Sequence, residues 1–261
     1  MSDLTDYSGY TDPAYLDATV ALLGAIKERS WALLDIAAGS SVLDVGCGPG
    51  IDTVELGQLV GPEGRVDGID HDPEMVAEAD LRATDAGVRE WVRHHHSDGS
   101  SIPFDDGTFD AARSERVFQH IADPTPVLGE MIRTTRPGGR VVVVDSDWYS
   151  LSLDVSDTDL ERRLMRFKGE VLLRDGGAGR QLYRMFREAG LSDVSIEPTV
   201  VYGSYGLSRF ALLWDELMER AVADGIATPE ELAAFEAELE QRDTRGVSFG
   251  SVNLIIAVGT V

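Results

Sequence analysis

Two hydrophobic periods alternate along this chain of 261 residues. Strands are expected at 41–45, 65–69, 90–96, 109–114 and 140–145, on short stretches that include apolar runs such as Val42-Leu43 and Val141 to Val144. The valines Val141 to Val144 predict a strand buried on both faces. Between these runs the spacing is helical. Residues 12–37 carry Val20, Leu23, Ile26, Leu33 and Leu34 at helical intervals behind a start formed by Asp12-Pro13. A helical pattern follows from Ile51 to Val60. Asp72-Pro73-Glu74 opens another helix, which ends near Gly87. Asp123-Pro124 opens a further one, stopped by Arg136-Pro137-Gly138-Gly139. Strands alternating with helices in this way predict a parallel, doubly wound α/β sheet. Such sheets bind ligands at the carboxyl ends of their strands, where Gly46, Asp70, Asp98, Ser114 and Asp145 fall.

After residue 146 the alternation loosens. Helices are expected at 157–174, 178–190, 207–224 and 229–242, with strands at 193–202 and 248–258. Segments 147–176 and 203–246 stand outside the alternation and read as cap insertions. Residues 1–37 read as a helical lid on a domain spanning 38–261. Aromatic residues gather in the caps. Trp148, directly after the fifth strand, is the one expected to touch a substrate. The apolar cap and terminal strand suit a homodimer interface as well as a pocket.

Charge and cysteine usage narrow the function classes. A net charge of -23 with no basic patch argues against a nucleic-acid partner. The densest basic run, 161–168, reads as a solvated helix face. Cys47 is the single cysteine, so no internal disulfide forms, which fits a reducing compartment. The first residues lack a signal-peptide pattern, and no apolar run approaches the roughly twenty residues of a membrane span. A cytoplasmic protein is therefore expected. His94-His95-His96 lies on a strand, where neighbouring side chains alternate faces, so no metal site is expected there.

The chemistry gathers at Asp44-x-Gly46-x-Gly48-x-Gly50, a glycine turn between a strand and a helix. A dinucleotide fingerprint would need a third glycine where Ile51 stands. The pattern instead resembles motif I of the class I S-adenosylmethionine-dependent methyltransferases. Later features resemble the same family in order: Asp70 at the end of the second strand, the segment Ser97 to Phe104, Phe109-Asp110, and Arg136-Pro137-Gly138-Gly139-Arg140. Within it the chain is similar to the ubiquinone/menaquinone-biosynthesis-like group and to natural-product small-molecule methyltransferases. The resemblance implies a Rossmann-like sheet of seven strands, mostly parallel with an antiparallel last strand. It implies S-adenosyl-L-methionine as cofactor, held by Asp44, Gly46, Cys47, Gly48, Gly50, Asp70, His71, Met75, Ser97, Asp98, Gly99 and Ser114. Asp70 would accept from the ribose hydroxyls and Asp98 from the adenine amino group. Asp44 is expected beneath the glycine loop, fixing backbone N–H groups or the cofactor's amino group.

A sulfonium is already a reactive methyl donor, so positioning and exclusion of water carry much of the reaction. His120, just past the fourth strand, is the candidate base for an acceptor that must lose a proton. Arg116, on the same segment, is the candidate for holding an anionic or phenolic acceptor. The expected reaction is methyl transfer to a small apolar or aromatic metabolite. Three alternatives stand beside it: a cyclase or isomerase that keeps the cofactor without transfer, a disfavoured NAD-dependent oxidoreductase, and a non-catalytic partner subunit.

Overall fold

A computed structural model describes residues 13–261, with side chains from Leu22 onward except those of residues 172, 210 and 211. Asp12, the rest of the first twelve residues of the expected lid, and the side chain of Val20 lie outside the described residues. Seven strands form one sheet: β1 (Ser41–Val45), β2 (Arg65–Asp70), β3 (Val92–His96), β4 (Phe109–Glu115), β5 (Thr135–Leu153), β6 (Ser192–Gly203) and β7 (Gly250–Thr260). Their spatial order is β3-β2-β1-β4-β5-β7-β6. Only β7 runs against its neighbours, antiparallel to both β5 and β6. The chain winds outward in opposite directions from β1 and β4, so the ligand crevice opens at the carboxyl ends of these two strands.

The helices are α1 (Pro13–Leu33), α2 (Ile51–Val60), α3 (Pro73–Asp85), α4 (Thr125–Thr134), α5 (Thr158–Phe167), α6 (Ala178–Glu188), α7 (Tyr205–Leu212), α8 (Trp214–Ala223) and α9 (Pro229–Thr244). Side chains on a strand alternate faces, and the valines of β5 show it. Val141 and Val143 join the core beneath α4 and α6. Val142 and Val144 join the core beneath α1, α2 and α3. All four are fully buried, and each contributes about 1.5–3 kcal/mol by leaving water.

A third core belongs to the caps. Leu160 and Leu164 of α5 pack with Trp214 and Leu217 of α8 and with Phe235 and Leu239 of α9. The two insertions therefore form one unit. Its boundary differs from the expectation in one place: residues 147–153 stay in the sheet as the end of β5, paired through Ser152↔Ser251 and Leu153↔Gly250. The register slips between Asp147 and Ser152, and the Asn253 N–H donates to Ser150 Oγ at 2.8 Å across the irregularity. The helix expected over 207–224 divides at Leu213, whose φ is 49°.

The run 161–168 is not uniformly solvated. Arg162 and Arg166 face water, but Glu161 and Lys168 turn inward. Glu161 accepts from the Leu153 N–H at 3.1 Å, and the Lys168 ammonium donates to Leu212 O at 3.2 Å. One stripe of the segment faces the cap core, and the two charged residues falling on it meet backbone groups there. Among the described residues no helix is long and apolar enough to cross a membrane.

Candidate functional site

The site grows from the turn between β1 and α2. Gly46 and Cys47 both donate their N–H to Ile69 O, at 2.8 and 3.0 Å, which draws the loop against β2. Gly46 has φ 73°, and a Cβ there would lie 2.3 Å from Val117 Cγ2. Gly50 has φ 79°, and its Cβ would meet the Ala79 Cα at 2.9 Å. The loop thus packs against α3 and the segment after β4 so closely that side chains do not fit. Gly50→Ala should cost more than the roughly 1–2 kcal/mol of a left-handed alanine, because backbone must also shift. Gly39 has φ 88° but nothing within 4 Å of its Cβ position, so Gly39→Ala should show the strain alone. Denaturant midpoints of the two variants measure the difference; equal losses would mean that the contact with Ala79 relaxes freely.

A buried relay braces the loop from below. Thr53 Oγ1 lies 3.0 Å from Gly50 O and 2.8 Å from His94 Nε2, and His94 Nδ1 lies 2.8 Å from Asp80 Oδ1. His94 therefore ties α2 to α3. Burial lowers the pKa of its ring. His95 instead meets Asp67 at 2.8 Å, and His96 donates to His71 O at 3.0 Å. The three adjacent rings serve three separate partners.

Asp70 closes β2 and clamps the loop. Its Oδ2 accepts from the Gly48 N–H at 2.8 Å and its Oδ1 from the Asp72 N–H at 2.9 Å. His71 Nδ1 approaches Oδ1 at 3.3 Å. Burial opposes ionisation, but His71 and the two backbone donors outweigh it and hold the carboxyl below the usual range. Asp70 in turn lifts the His71 pKa. The Ser97 N–H donates to Asp70 O at 2.9 Å, joining the next loop to the clamp. There Asp98 Oδ1 accepts from the Ser100 N–H and Oγ, both at 2.8 Å, in an exposed turn. Gly99 lies against Val45 and Val127, and Met75 is buried in the first turn of α3.

Three expected cofactor contacts are placed otherwise by their side chains. The Ser114 hydroxyl is fully buried and donates to Val45 O at 2.9 Å, so it stitches β4 to β1. The Cys47 thiol is buried against β2, where a Cβ on Gly68 would meet its sulfur at 2.8 Å, and burial pushes its pKa up. Asp44 points away from the loop amides, onto the sheet face beneath α1 and α2. It shares that face with Arg113 and Glu115 of β4, because Asp44 pairs with Arg113 in register. Arg113 Nη1 reaches Asp44 at 3.3 Å and Asp52 at 3.2 Å, and Nη2 binds Glu115. Lys27 of α1 joins Asp52 and Glu115, both at 2.7 Å. Burial, reinforced by Asp52 and Glu115, pushes Asp44 up to about 7 against the pull of Arg113 and Lys27.

The segment after β4 forms the other wall. Arg116 takes a left-handed φ of 56°, a strained setting for a bulky residue. Its N–H donates to Val144 O at 2.8 Å, and its Nε lies 3.6 Å from Glu115 Oε1. A 3₁₀ turn, Phe118–His120, follows. Gln119 is buried, with its N–H on Asp145 Oδ2 at 3.3 Å. Asp145 is fully buried, and that burial pushes it up to about 7 despite backbone donors from Ser146, Gln119 and Phe118. Trp148, expected as a substrate contact, is mostly buried, donates its indole N–H to Gln119 Oε1 at 2.6 Å, and carries the Lys168 ammonium 4.6 Å from its ring centre. One edge of Trp148 lines an apolar cavity of about 30 Å³ with Leu22, Leu151, Val201, Leu207 and Val252. That volume is about one water, so a metabolite entering here needs α1 or α7 to give way.

Lys27, Arg113, Gln119 and Lys168 were not singled out from the sequence. Arg113 alone carried a signal: it stands two residues from Glu115 on one strand, so both face the same side as Ala111.

Comparison with known proteins extends this geometry. A methyltransferase domain family matches residues 43–143. An uncharacterized 37.1 kDa protein in a transposon of Streptomyces fradiae is 38% identical over 215 residues, covering 81% of this chain. The match spans 61% of that protein's own length. A demethylmenaquinone methyltransferase of Bacillus cytotoxicus is 28% identical over 188 residues, covering 67% of this chain and 79% of that one. Among solved structures, geranyl diphosphate C-methyltransferase of Streptomyces coelicolor, in complex with S-adenosyl-L-homocysteine, superposes with a TM-score of 0.59 at 20% identity. It covers 91% of this chain and 76% of its own.

Proposed function

For a chain that belongs to the class I S-adenosylmethionine-dependent methyltransferases, we propose methyl transfer to a small, apolar or aromatic metabolite of quinone or natural-product type. The observation that carries this reading is the Asp70 clamp on the glycine loop. A separate apolar cavity, edged by Trp148, lies among β5, β6, β7 and α7.

The residues present fit the cofactor. Gly46, Gly48 and Gly50 leave the loop backbone without Cβ atoms at those positions, which allows a ligand close approach. A carboxylate held below the usual range offers acceptors for a diol. Arg82 donates its Nε–H to Pro49 O in the loop at 2.9 Å, so this basic side chain binds loop backbone. Asp70 would hold the ribose and Asp98 the adenine edge. Gly46, Gly48 and Gly50 would line the backbone cradle, with His71, Met75, Ser97 and Gly99 around the base. Cys47 and Ser114 would contribute through the main chain, and Asp44 through the buried charge beneath. Bound there, S-adenosylmethionine supplies an electrophilic methyl group on a sulfonium. Arg116 and His120 would flank the acceptor, with α1 as lid and the cap excluding water.

Two supports bear on the acceptor. Its apolar character is suggested by the lining of the cavity. Its quinone or natural-product class rests on analogy with the relatives just named. The test is calorimetric titration with S-adenosylmethionine, S-adenosylhomocysteine and NAD, followed by mass spectrometry of reactions with phenolic, quinone-precursor and prenyl acceptors. Binding of the first two but not NAD is expected, with a product heavier by a methyl in place of a hydrogen. A product of unchanged mass would instead identify a cyclase or isomerase, and NAD binding would overturn the cofactor assignment.

A further inference from the structure

His120 stands where a proton acceptor would be expected, yet its neighbours argue for a different protonation pattern. The indole N–H of Trp148 can only donate, and it meets Gln119 Oε1 at 2.6 Å. That contact fixes the Gln119 carboxamide with its oxygen toward Trp148 and its NH₂ on the other side. The NH₂ group has two hydrogens and two neighbours: Arg116 O at 3.3 Å and His120 Nε2 at 3.1 Å. An NH₂ group has only hydrogens to offer, so His120 Nε2 must accept. A neutral imidazole with Nε2 as acceptor carries its proton on Nδ1.

Gln119 is itself immobilised. Its side chain is buried, its N–H is held by Asp145, and its carbonyl oxygen accepts from the N–H groups of Arg174 and Asp175 at 3.1 and 3.0 Å. The chain of contacts runs from the cap, through Lys168 over Trp148 and through Gln119, to the His120 ring, on the segment whose Val117 packs against Gly46.

We propose that His120 works as a neutral, Nδ1-protonated imidazole whose tautomer is set by Gln119 and Trp148, so that it serves an acceptor oxygen as a hydrogen-bond donor rather than as a base. Gln119 is then a positioning residue. Removing a proton with Nε2 would require breaking the Gln119 contact, and Nδ1 already holds a hydrogen. The charged surroundings agree. His120 keeps an exposed edge, but the crowding protein, then Arg116, His71 and Lys168, push its pKa down to about 4. Asp145, the acidic group on this wall, meets Gln119 through the backbone N–H and not through the ring. A neutral donor suits an acceptor that presents a carbonyl or phenolic oxygen. This role rests on the methyl-transfer reading, but the tautomer itself does not.

The experiment is long-range ¹H–¹⁵N spectroscopy of the full chain labelled at histidine, with the His120 signals identified by their loss in His120→Gln. Wild-type protein is expected to show Nε2 as the unprotonated nitrogen, unchanged from pH 8 to pH 5. Gln119→Glu places an acceptor opposite Nε2, so the proton should move to Nε2 and the ring should titrate at higher pH. Should that variant fail to fold, Trp148→Phe removes the donor that orients Gln119, and the single-tautomer pattern should become mixed. A protonated Nε2 in wild-type protein, or no change in a folded variant, would overturn the proposal. Calorimetry with S-adenosylhomocysteine runs beside it, so failure of the cofactor reading is seen separately. Once an acceptor is known, His120→Ala should lower kcat by roughly 10²–10³-fold, the range for losing one aligned donor. His120→Gln should restore part of that loss. Restoration in His120→Gln is the result a base cannot explain, since glutamine accepts no proton at neutral pH.

Discussion

Asp70→Ala is expected to weaken S-adenosylhomocysteine binding about tenfold to a hundredfold while the chain stays folded. Hydrogen bonds to a charged group contribute about 1.5–3 kcal/mol, and 1.4 kcal/mol is tenfold in affinity. The carboxylate also holds the Gly48 and Asp72 N–H groups, so the variant loses loop order together with the diol acceptors. Asp70→Asn should be impaired as well. Its NH₂ must face one of those two N–H donors, whichever way the amide turns. Calorimetric titration decides the matter, with thermal unfolding as the control for folding. A dissociation constant unchanged in both variants would remove Asp70 from the ribose site.

Arg113→Met is expected to be the most destabilising substitution on the buried face, at about 3–5 kcal/mol in denaturant titration. Breaking a buried ion pair from one side leaves the other charges uncompensated. Here Asp44, Asp52 and Glu115 all lean on the lost guanidinium, and Lys27 alone directly bridges two of them. The deficit should grow with pH. Asp44 has a folded pKa of about 7, above the roughly 3.9 of an unfolded aspartate. Its contribution is therefore full below about pH 4 and is lost as pH rises through 7. Without Arg113 the folded pKa rises further, which enlarges that loss. Asp52 shows the opposite sign. Burial opposes its ionisation, but Arg113 and Lys27 win and depress its pKa, so its stabilisation exists above the unfolded value. Losing Arg113 removes part of that stabilisation at neutral pH. Both terms make the variant worse at pH 8 than at pH 5. A deficit below about 1 kcal/mol, or one that shrinks as pH rises, would mean that water enters the face and replaces the guanidinium.

The chain's own pattern determined the alternation of strands and helices, the parallel doubly wound sheet and the glycine turn after β1. These are local properties. A valine run such as Val141 to Val144 excludes water whichever elements cover it, and Gly46 to Gly50 bends as it does because its glycines carry no Cβ. The position of Asp70 was equally legible, since it ends an apolar run at a fixed distance from the turn. The tertiary structure decided which side chains are engaged within the frame. Ser114 was placed at the right strand end, but its hydroxyl is taken by Val45 O on the neighbouring strand. Asp44 was expected at the loop, but strand parity turns it toward Lys27, a residue seventeen positions earlier on α1. Lys168 belongs to a basic run that looks solvated in one dimension, yet its ammonium lies over Trp148 and on Leu212 O from a distant insertion. Gln119 carries no signal at all in the sequence, because its role arises from Trp148 and His120 standing on either side of one amide. Periodicity reports only whether a position faces water or protein. Which partner it meets there depends on crossovers between elements far apart in the chain, and those are settled only when the sheet and the cap have packed.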